Sequence, residues 1–288
     1  MYYLSLGFIK LVSLLPFWVL YGLSDFSYLI VYYIAGYRKK VVRDNLKRSF
    51  PEKTEKGRLI IERKFYHHFC DLLFESIKSA TISRNEILRR MKILNYNQVI
   101  RHYDEGKSVI LMTSHYANWE WTYCFNLMLP KDKPFYQIYK KLSNNMSEKI
   151  VQHIRTRFGS VAVEVQELFP TLSTMKTEGR VGMIGMVSDQ SPARNGMKYF
   201  SQFLNQHTPV ITGTELIAKK YDFPVYYAQI RKVKRGFYTC NLLPICVNPA
   251  ETEKFEITEK YIRILENEIL AEPAYWLWSH RRWKYVNN

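Results

Sequence analysis

Residues 1–37 are dominated by Leu, Ile, Val, Phe, Tyr and Trp and hold only two charges, Lys10 and Asp25. The uncharged run 11–24 is fourteen residues long and contains Pro16, short of the roughly 20 apolar residues of a clean membrane span. The pattern predicts an N-terminal membrane-associating helical segment. Either one tilted helix tolerates Asp25, or two helices lie in the interface, hinged near Ser24 and Asp25. A buried helical hairpin is the plain alternative. Further on, Phe65, Phe69, Leu72, Leu73 and Ile77 recur at spacings of three and four and predict helix across about 55–90. Short β-rich apolar runs follow at 108–113, 161–165, 181–187, 225–230 and 237–243. Helical stretches at 119–129, 148–158, 212–220 and 258–270 separate them. Strands alternating with helices predict an α/β fold, a mostly parallel sheet flanked by helices. With no repeat and no linker, the chain divides into a membrane-associating segment, 1–37, and one catalytic-sized domain, 38–288.

At 288 residues, 47% hydrophobic and 15% aromatic, the chain has ample apolar area to bury, which excludes disorder. Charge adds a second feature. Forty-two Lys and Arg against 26 Asp and Glu give a net charge of +16, suited to an anionic partner such as nucleic acid, acidic lipid or an acidic carrier protein. Residues 38–64 carry eleven Lys or Arg against four acids, a local net of +7 directly after the apolar segment. That placement predicts a body on the cytoplasmic side. The apolar stretch has neither a positive leader nor a small-residue cleavage site, so a cleaved signal peptide is not expected. Cys70, Cys124, Cys240 and Cys246 are scattered with no Cys-x-x-Cys pair, implying neither a zinc knuckle nor a disulfide framework.

The candidate chemistry sits where the first central strand ends, at Thr113-Ser-His-Tyr-Ala-Asn-Trp-Glu120. On one continuous helix, positions i and i+5 stand about 140° apart. His115 and Glu120 can therefore meet only if His115 lies in the loop and Glu120 on the first turns after it. A carboxylate so placed would fix the imidazole tautomer while His115 takes a proton from a hydroxyl. Asp189 and Gln190, at the end of another apolar run, are expected to line the same site, although Asp189 at a strand end is equally a helix cap or turn residue. Adjacent His67 and His68 point different ways on a helix and make no metal pair. Zincin, serine-hydrolase, P-loop and dinucleotide-binding signatures are missing from the sequence. The basic cluster 231–235 reads as a charged hairpin turn. Arg281, Arg282 and Lys284 among Trp276, Trp278 and Trp283 suit a membrane interface, and the same interleaving suits nucleic acid.

The His-x4-Glu pattern resembles the motif of glycerolipid acyltransferases, and the likeness extends along the chain. Tyr139-Lys-Lys-Leu142, Arg157-Phe-Gly-Ser160, Ser188-Asp-Gln-Ser-Pro192 and Phe203-Leu-Asn-Gln-His-Thr-Pro-Val-Ile-Thr-Gly213 follow the block order of the late lipid A acyltransferases, the lauroyl/myristoyl transferase family. Arg43-Asp-Asn-Leu-Lys-Arg-Ser-Phe-Pro51 and Trp276-Leu-Trp-Ser-His-Arg-Arg-Trp-Lys284 are similar too. The resemblance implies transfer of an acyl chain from an acyl carrier protein or acyl-CoA thioester to a hydroxyl of a lipid A precursor. The thioester is a co-substrate, and neither cofactor nor metal is implied. His115 maps onto the base and Glu120 onto its acidic partner. The expected setting is the inner membrane, cytoplasmic side, with an anionic lipid acceptor and no nucleic acid. Many members have Tyr-Arg-Pro where this chain has Tyr139-Lys140-Lys141, so a bidentate guanidinium gives way to a point charge at the expected phosphate contact. Arg157 is the other candidate for an anionic substrate. The same chemistry on a lysophospholipid or hydroxylated aminolipid is a second reading, and a non-catalytic basic membrane- or nucleic-acid-binding protein a third.

Overall fold

A computed structural model describes residues 2–285. Its strands, in chain order, are β1 (Met91–Leu94), β2 (Val109–Thr113), β3 (Phe135–Tyr139), β4 (Val161–Glu164), β5 (Met183–Val187), β6 (Phe200–Phe203), β7 (Gln206–Pro209), β8 (Val225–Lys234) and β9 (Phe237–Cys246). Seven of them form one sheet in the spatial order β1-β9-β8-β2-β5-β3-β4. Every pairing is parallel except the β8–β9 hairpin, and β6 and β7 make a separate antiparallel pair. All five residues of β2 are buried, as an uninterrupted apolar run requires when helices cover both faces of a parallel strand. Gly185 on β5 lets the Phe135 ring of β3 lie against the backbone, where a Cβ would collide with it.

The helices are α1 (Tyr2–Leu14), α2 (Phe17–Tyr28), α3 (Lys39–Ser49), α4 (Glu55–Lys78), α5 (Arg84–Arg90), α6 (Asn97–Asp104), α7 (Asn145–Arg155), α8 (Leu168–Thr177), α9 (Gly213–Tyr221) and α10 (Glu256–Ala271). The α/β architecture is the expected one, but several elements differ from the sequence reading. The helix foreseen across 55–90 is two helices, α4 and α5. Thr54 caps the first by accepting from Gly57 N at 3.1 Å, and Ser83 caps the second by accepting from Glu86 N at 3.2 Å. The 119–129 stretch is a 3₁₀ helix, Trp119–Leu127. The short strands β1, β3, β6 and β7 were not foreseen: β1 and β3 pair with strands far away in sequence, and β6 and β7 form a hairpin of four-residue strands with no uninterrupted apolar run.

The N-terminal segment also departs from expectation. Its break is at Pro16, between α1 and α2, and not near Ser24 and Asp25. Proline lacks the N–H that would continue the ladder, and the Lys78 ammonium donates to the freed carbonyls of Ser13 and Leu15 at 2.8 and 2.9 Å. Beyond Pro16 the chain stays helical through a π-helical turn, Leu29–Ile34. Asp25 sits inside this helix because Arg235 from the β8–β9 turn reaches it at 2.6 Å. The 231–235 cluster is thus a hairpin end, as read, but its Lys232 and Arg235 also pair with Asp71 of α4.

The C-terminal tryptophans overturn a second expectation. Trp276, Trp278 and Trp283 are interior, with Phe203, Trp278 and Trp283 packed edge to face around Trp276. Their indole N–H groups donate to Asp189, to Pro273 O and to Thr208 Oγ1. Arg282 is buried among them. Composition suggested a membrane interface, whereas each indole N–H finds its partner inside the protein, which is how a buried indole avoids a desolvation penalty.

Buried acids on α4 join the layers. Glu75 accepts from Tyr21 of α2 at 2.9 Å, from Tyr238 of β9 at 2.8 Å and from Asn118, just after His115, at 2.5 Å. Burial outweighs those donors and pushes its carboxyl up to about 7. An acid held protonated by the fold favours folding below its ordinary range and loses that advantage as pH rises through the raised value. Thermal stability is therefore expected to decline between about pH 4.5 and 7 and then level off. Glu75→Gln should flatten that part of a pH–Tm profile, and an unchanged slope in the variant contradicts the assignment.

Candidate functional site

The parallel register of β2 and β5 builds the site. Thr113 lies opposite Val187, and Ser188 N donates to Thr113 O at 3.2 Å just beyond the last pair. Two residues past each strand end come His115 and Asp189, side by side at the carboxyl edge of the sheet, where ligands of open α/β sheets gather. His115 Nδ1 lies 2.7 Å from Asp189 Oδ1, and the His115 backbone N–H donates to Oδ2 at 3.0 Å. Trp276 Nε1 donates to the same Oδ2 at 2.8 Å.

The C-terminal segment fastens this loop. Tyr116 bridges Trp276, Leu277 N donates to His115 O at 3.1 Å, and Ala117 N donates to Tyr275 O at 3.0 Å. Ala117 is buried in the left-handed region at φ 48°, a conformation that costs a non-glycine residue roughly 1–2 kcal/mol. The turn carries Asn118 inward, where its amide donates to Glu75 and its oxygen accepts from Trp121 N at 3.2 Å.

Electrostatics favour an ionised Asp189 beside the imidazole. The carboxyl is only 2% exposed, and burial alone would raise its pKa. The His115 charge, its two hydrogen bonds and the Trp276 indole more than offset this and hold the group below the usual carboxylate range. His280 lies close by and is pushed down to about 4, chiefly by burial, so at neutral pH it adds no competing charge. Buried Arg282 faces Asp189 electrostatically, and burial lowers its guanidinium to about 10. With Nδ1–H given to Asp189, His115 presents Nε2 as an acceptor, and the Gln190 amide donates to it at 3.1 Å. The imidazole is 20% exposed, its ring edge-on to Trp119 at 5.1 Å. Such a pair can take a proton from an incoming hydroxyl, because the carboxylate stabilises the resulting imidazolium.

The structure redistributes the residues expected from the sequence. Glu120 is not the acid that orients His115. It stands on the 3₁₀ helix and turns to Arg155 of α7, accepting from Nη2 at 2.7 Å and from Nε at 3.1 Å in a bidentate pair. The i+5 spacing left the loop conformation open, and the β5 register brought another carboxylate to Nδ1. Gln190 joins the site as expected. Tyr139 ends β3 beside β5 and Lys140 follows it, on the same carboxyl edge, with the Tyr139 hydroxyl bonded to Gln152 and Lys140 exposed. Arg157 does not face the site, since its guanidinium donates to the carbonyls of Ser79 and Ile82 after α4. Trp276, the indole donor to Asp189, was missed as a site residue, as was the Arg155 partner of Glu120. The signal for Asp189 lay in equal offsets, two residues after each of two apolar runs. Nothing comparable marked Trp276. Among the described residues no group of three His, Cys, Asp or Glu side chains has metal-binding geometry.

Trp276→Phe would leave one oxygen of a buried carboxylate short of a donor, at a cost of about 1–3 kcal/mol. A fall in Tm at pH 7 is expected, with a lowered turnover. A variant as stable and active as the parent contradicts the role given to the indole.

No curated protein matches the chain. The family profile described as bacterial lipid A biosynthesis acyltransferase does, over residues 1–285. With that match running through the loop of His115, the carboxylate beyond β5 and the tryptophan-lined C-terminus, the chain belongs to the bacterial lipid A biosynthesis acyltransferase family and is an acyltransferase.

Proposed function

We propose that the protein transfers a fatty acyl chain from an acyl carrier protein or acyl-CoA thioester to a hydroxyl of a lipid A precursor, at the cytoplasmic face of the inner membrane. The observation that carries this reading is the His115–Asp189 pair, with Nε2 of a partly exposed imidazole aimed away from its carboxylate. In this mechanism the acceptor hydroxyl displaces the Gln190 amide from Nε2. His115 takes its proton, and the oxygen attacks the thioester carbonyl. The tetrahedral intermediate collapses by breaking the C–S bond, and the imidazolium returns the proton to the departing thiolate. Each atom is accounted for without a covalent enzyme intermediate.

Asp189 acts through His115 as a positioning residue, holding the tautomer and stabilising the imidazolium. Glu120 holds Arg155 in a fixed orientation on the rim, where the guanidinium face left free meets an anionic donor or acceptor. Tyr139 and Lys140 approach the same substrates from the end of β3. The net charge of +16 steers an acidic carrier protein or a phosphorylated lipid toward this edge. The exposed apolar side chains of α1 and α2 provide the contact with the membrane in which the acceptor resides.

Transfer from acylated carrier protein to a lipid A precursor, followed in isolated membranes by mass spectrometry, tests the reading. His115→Ala is expected to slow the reaction by about 10²–10⁴-fold, the usual contribution of general-base catalysis. Asp189→Asn should lower kcat with little change in KM, while Glu120→Gln, which weakens the hold on Arg155, should raise KM for an anionic substrate. Full turnover in His115→Ala overturns the mechanism, and transfer to a lysophospholipid or aminolipid alone overturns the acceptor.

A further inference from the structure

The helix Phe17–Ile34 is 18 residues long and apolar enough to cross a membrane by composition. At about 1.5 Å per residue it is roughly 27 Å long, against a hydrocarbon core of about 30 Å. Its two faces differ sharply. At about 100° per residue, Trp18, Phe26 and Leu29 fall on one side, and all are exposed. Leu20, Ser24 and Tyr28 fall on the other, and all are buried.

The buried side is a ladder of hydrogen bonds to α4. Tyr21 donates to Glu75 at 2.9 Å, Ser24 to Asp71 at 2.8 Å and Tyr32 to Glu62 at 3.0 Å. Farther out, Ser13 of α1 donates to Thr81 at 3.0 Å, and Arg235 joins Asp25 to Asp71. These contacts run from the α1 break to the π-helical turn, so the helix lies along α4 throughout. Insertion across a bilayer would strip every one of them. Tyr21, Ser24 and Asp25 would then sit in hydrocarbon unpaired, and three α4 carboxylates would each lose one partner, a costly desolvation of polar groups.

From this we infer that the N-terminal helices dock on a single leaflet and do not cross it, a reading that rests on the membrane association proposed above. The exposed face continues onto α1, where Phe8 and Leu11 point out. A cationic edge follows directly in the chain: Lys40 and Lys47 of α3 and Lys64 of α4 are exposed. This edge adjoins the end of the apolar face, since the Lys39 ammonium stands 3.9 Å over the Tyr32 ring and Arg43 pairs with Glu62, the acceptor of Tyr32. Apolar side chains bordered by uncompensated cations fit a leaflet with anionic headgroups, toward which each Lys or Arg near the surface is drawn. The same ladder passes through Glu75 to Asn118, so the docked face and the loop of His115 belong to one hydrogen-bonded unit.

The test uses the full chain in inside-out inner-membrane vesicles, on a Cys246→Ser background. One variant carries a Gly-Ser-Cys tag fused to residue 1, another Lys254→Cys on the body. An impermeant maleimide is expected to label both from the same side, with or without detergent. A tag reached only from the side opposite Lys254→Cys shows a crossing helix and overturns the inference. In parallel, Lys40→Glu/Lys47→Glu/Lys64→Glu is expected to bind phosphatidylglycerol-containing vesicles at least about tenfold more weakly, with binding to pure phosphatidylcholine unchanged. Equal binding to both lipids overturns the anionic partner. Neither readout needs turnover, so a failed acyl-transfer assay and a failed topology are told apart.

Discussion

A carboxylate taken out of water must be surrounded by donors, and around Asp189 that requirement organises the carboxyl edge of the sheet. Its two oxygens receive the His115 ring, the His115 backbone N–H and the Trp276 indole. Three stretches of chain more than seventy residues apart must therefore arrive together. The β2–β5 register supplies the first two, and the bridge from Tyr116 to Trp276 the third. The left-handed Ala117 follows from this convergence, since the chain must turn sharply to leave His115 facing Asp189 and still send Asn118 inward.

A second set of buried acids does for the layer of N-terminal helices what Asp189 does for the site. Glu62, Asp71 and Glu75 of α4 are all buried. Their donors come from α2, the β8–β9 hairpin and the loop after His115. Such groups contribute little net stability once desolvation is counted, but an unpaired one is expensive. The arrangement therefore specifies position more than it strengthens the fold. It keeps an apolar helix on the protein surface and ties it, through Glu75 and Asn118, to the loop of His115.

Much of the fold was legible because it depends on local pattern. Apolar runs bounded by polar residues marked β2, β4, β5, β8 and β9, and helical periodicity marked α4, α7, α9 and α10. The four-residue β1 is stabilised by β9, distant in sequence, and the four-residue β6 carries no distinctive apolar run. The tryptophans misled for a related reason: indoles beside arginines look alike whether their polar tips meet headgroups or buried oxygens. Arg157, expected to reach substrate, instead ties α7 to the end of α4, and nothing local separates it from Arg155 two residues earlier, which holds Glu120.

By itself the sequence determined the fold class, the placement of His115 at a strand end, the apolar N-terminal segment and the basic run behind it. These follow from residue type and short-range spacing, which act before any distant contact forms. Only the tertiary structure decided which carboxylate backs the imidazole, where the N-terminal helices break and which of their faces is covered. Glu120 and Asp189 carry the same functional group. What separates them is strand register and the partner already claimed by each, and both are properties of chain segments brought together by folding.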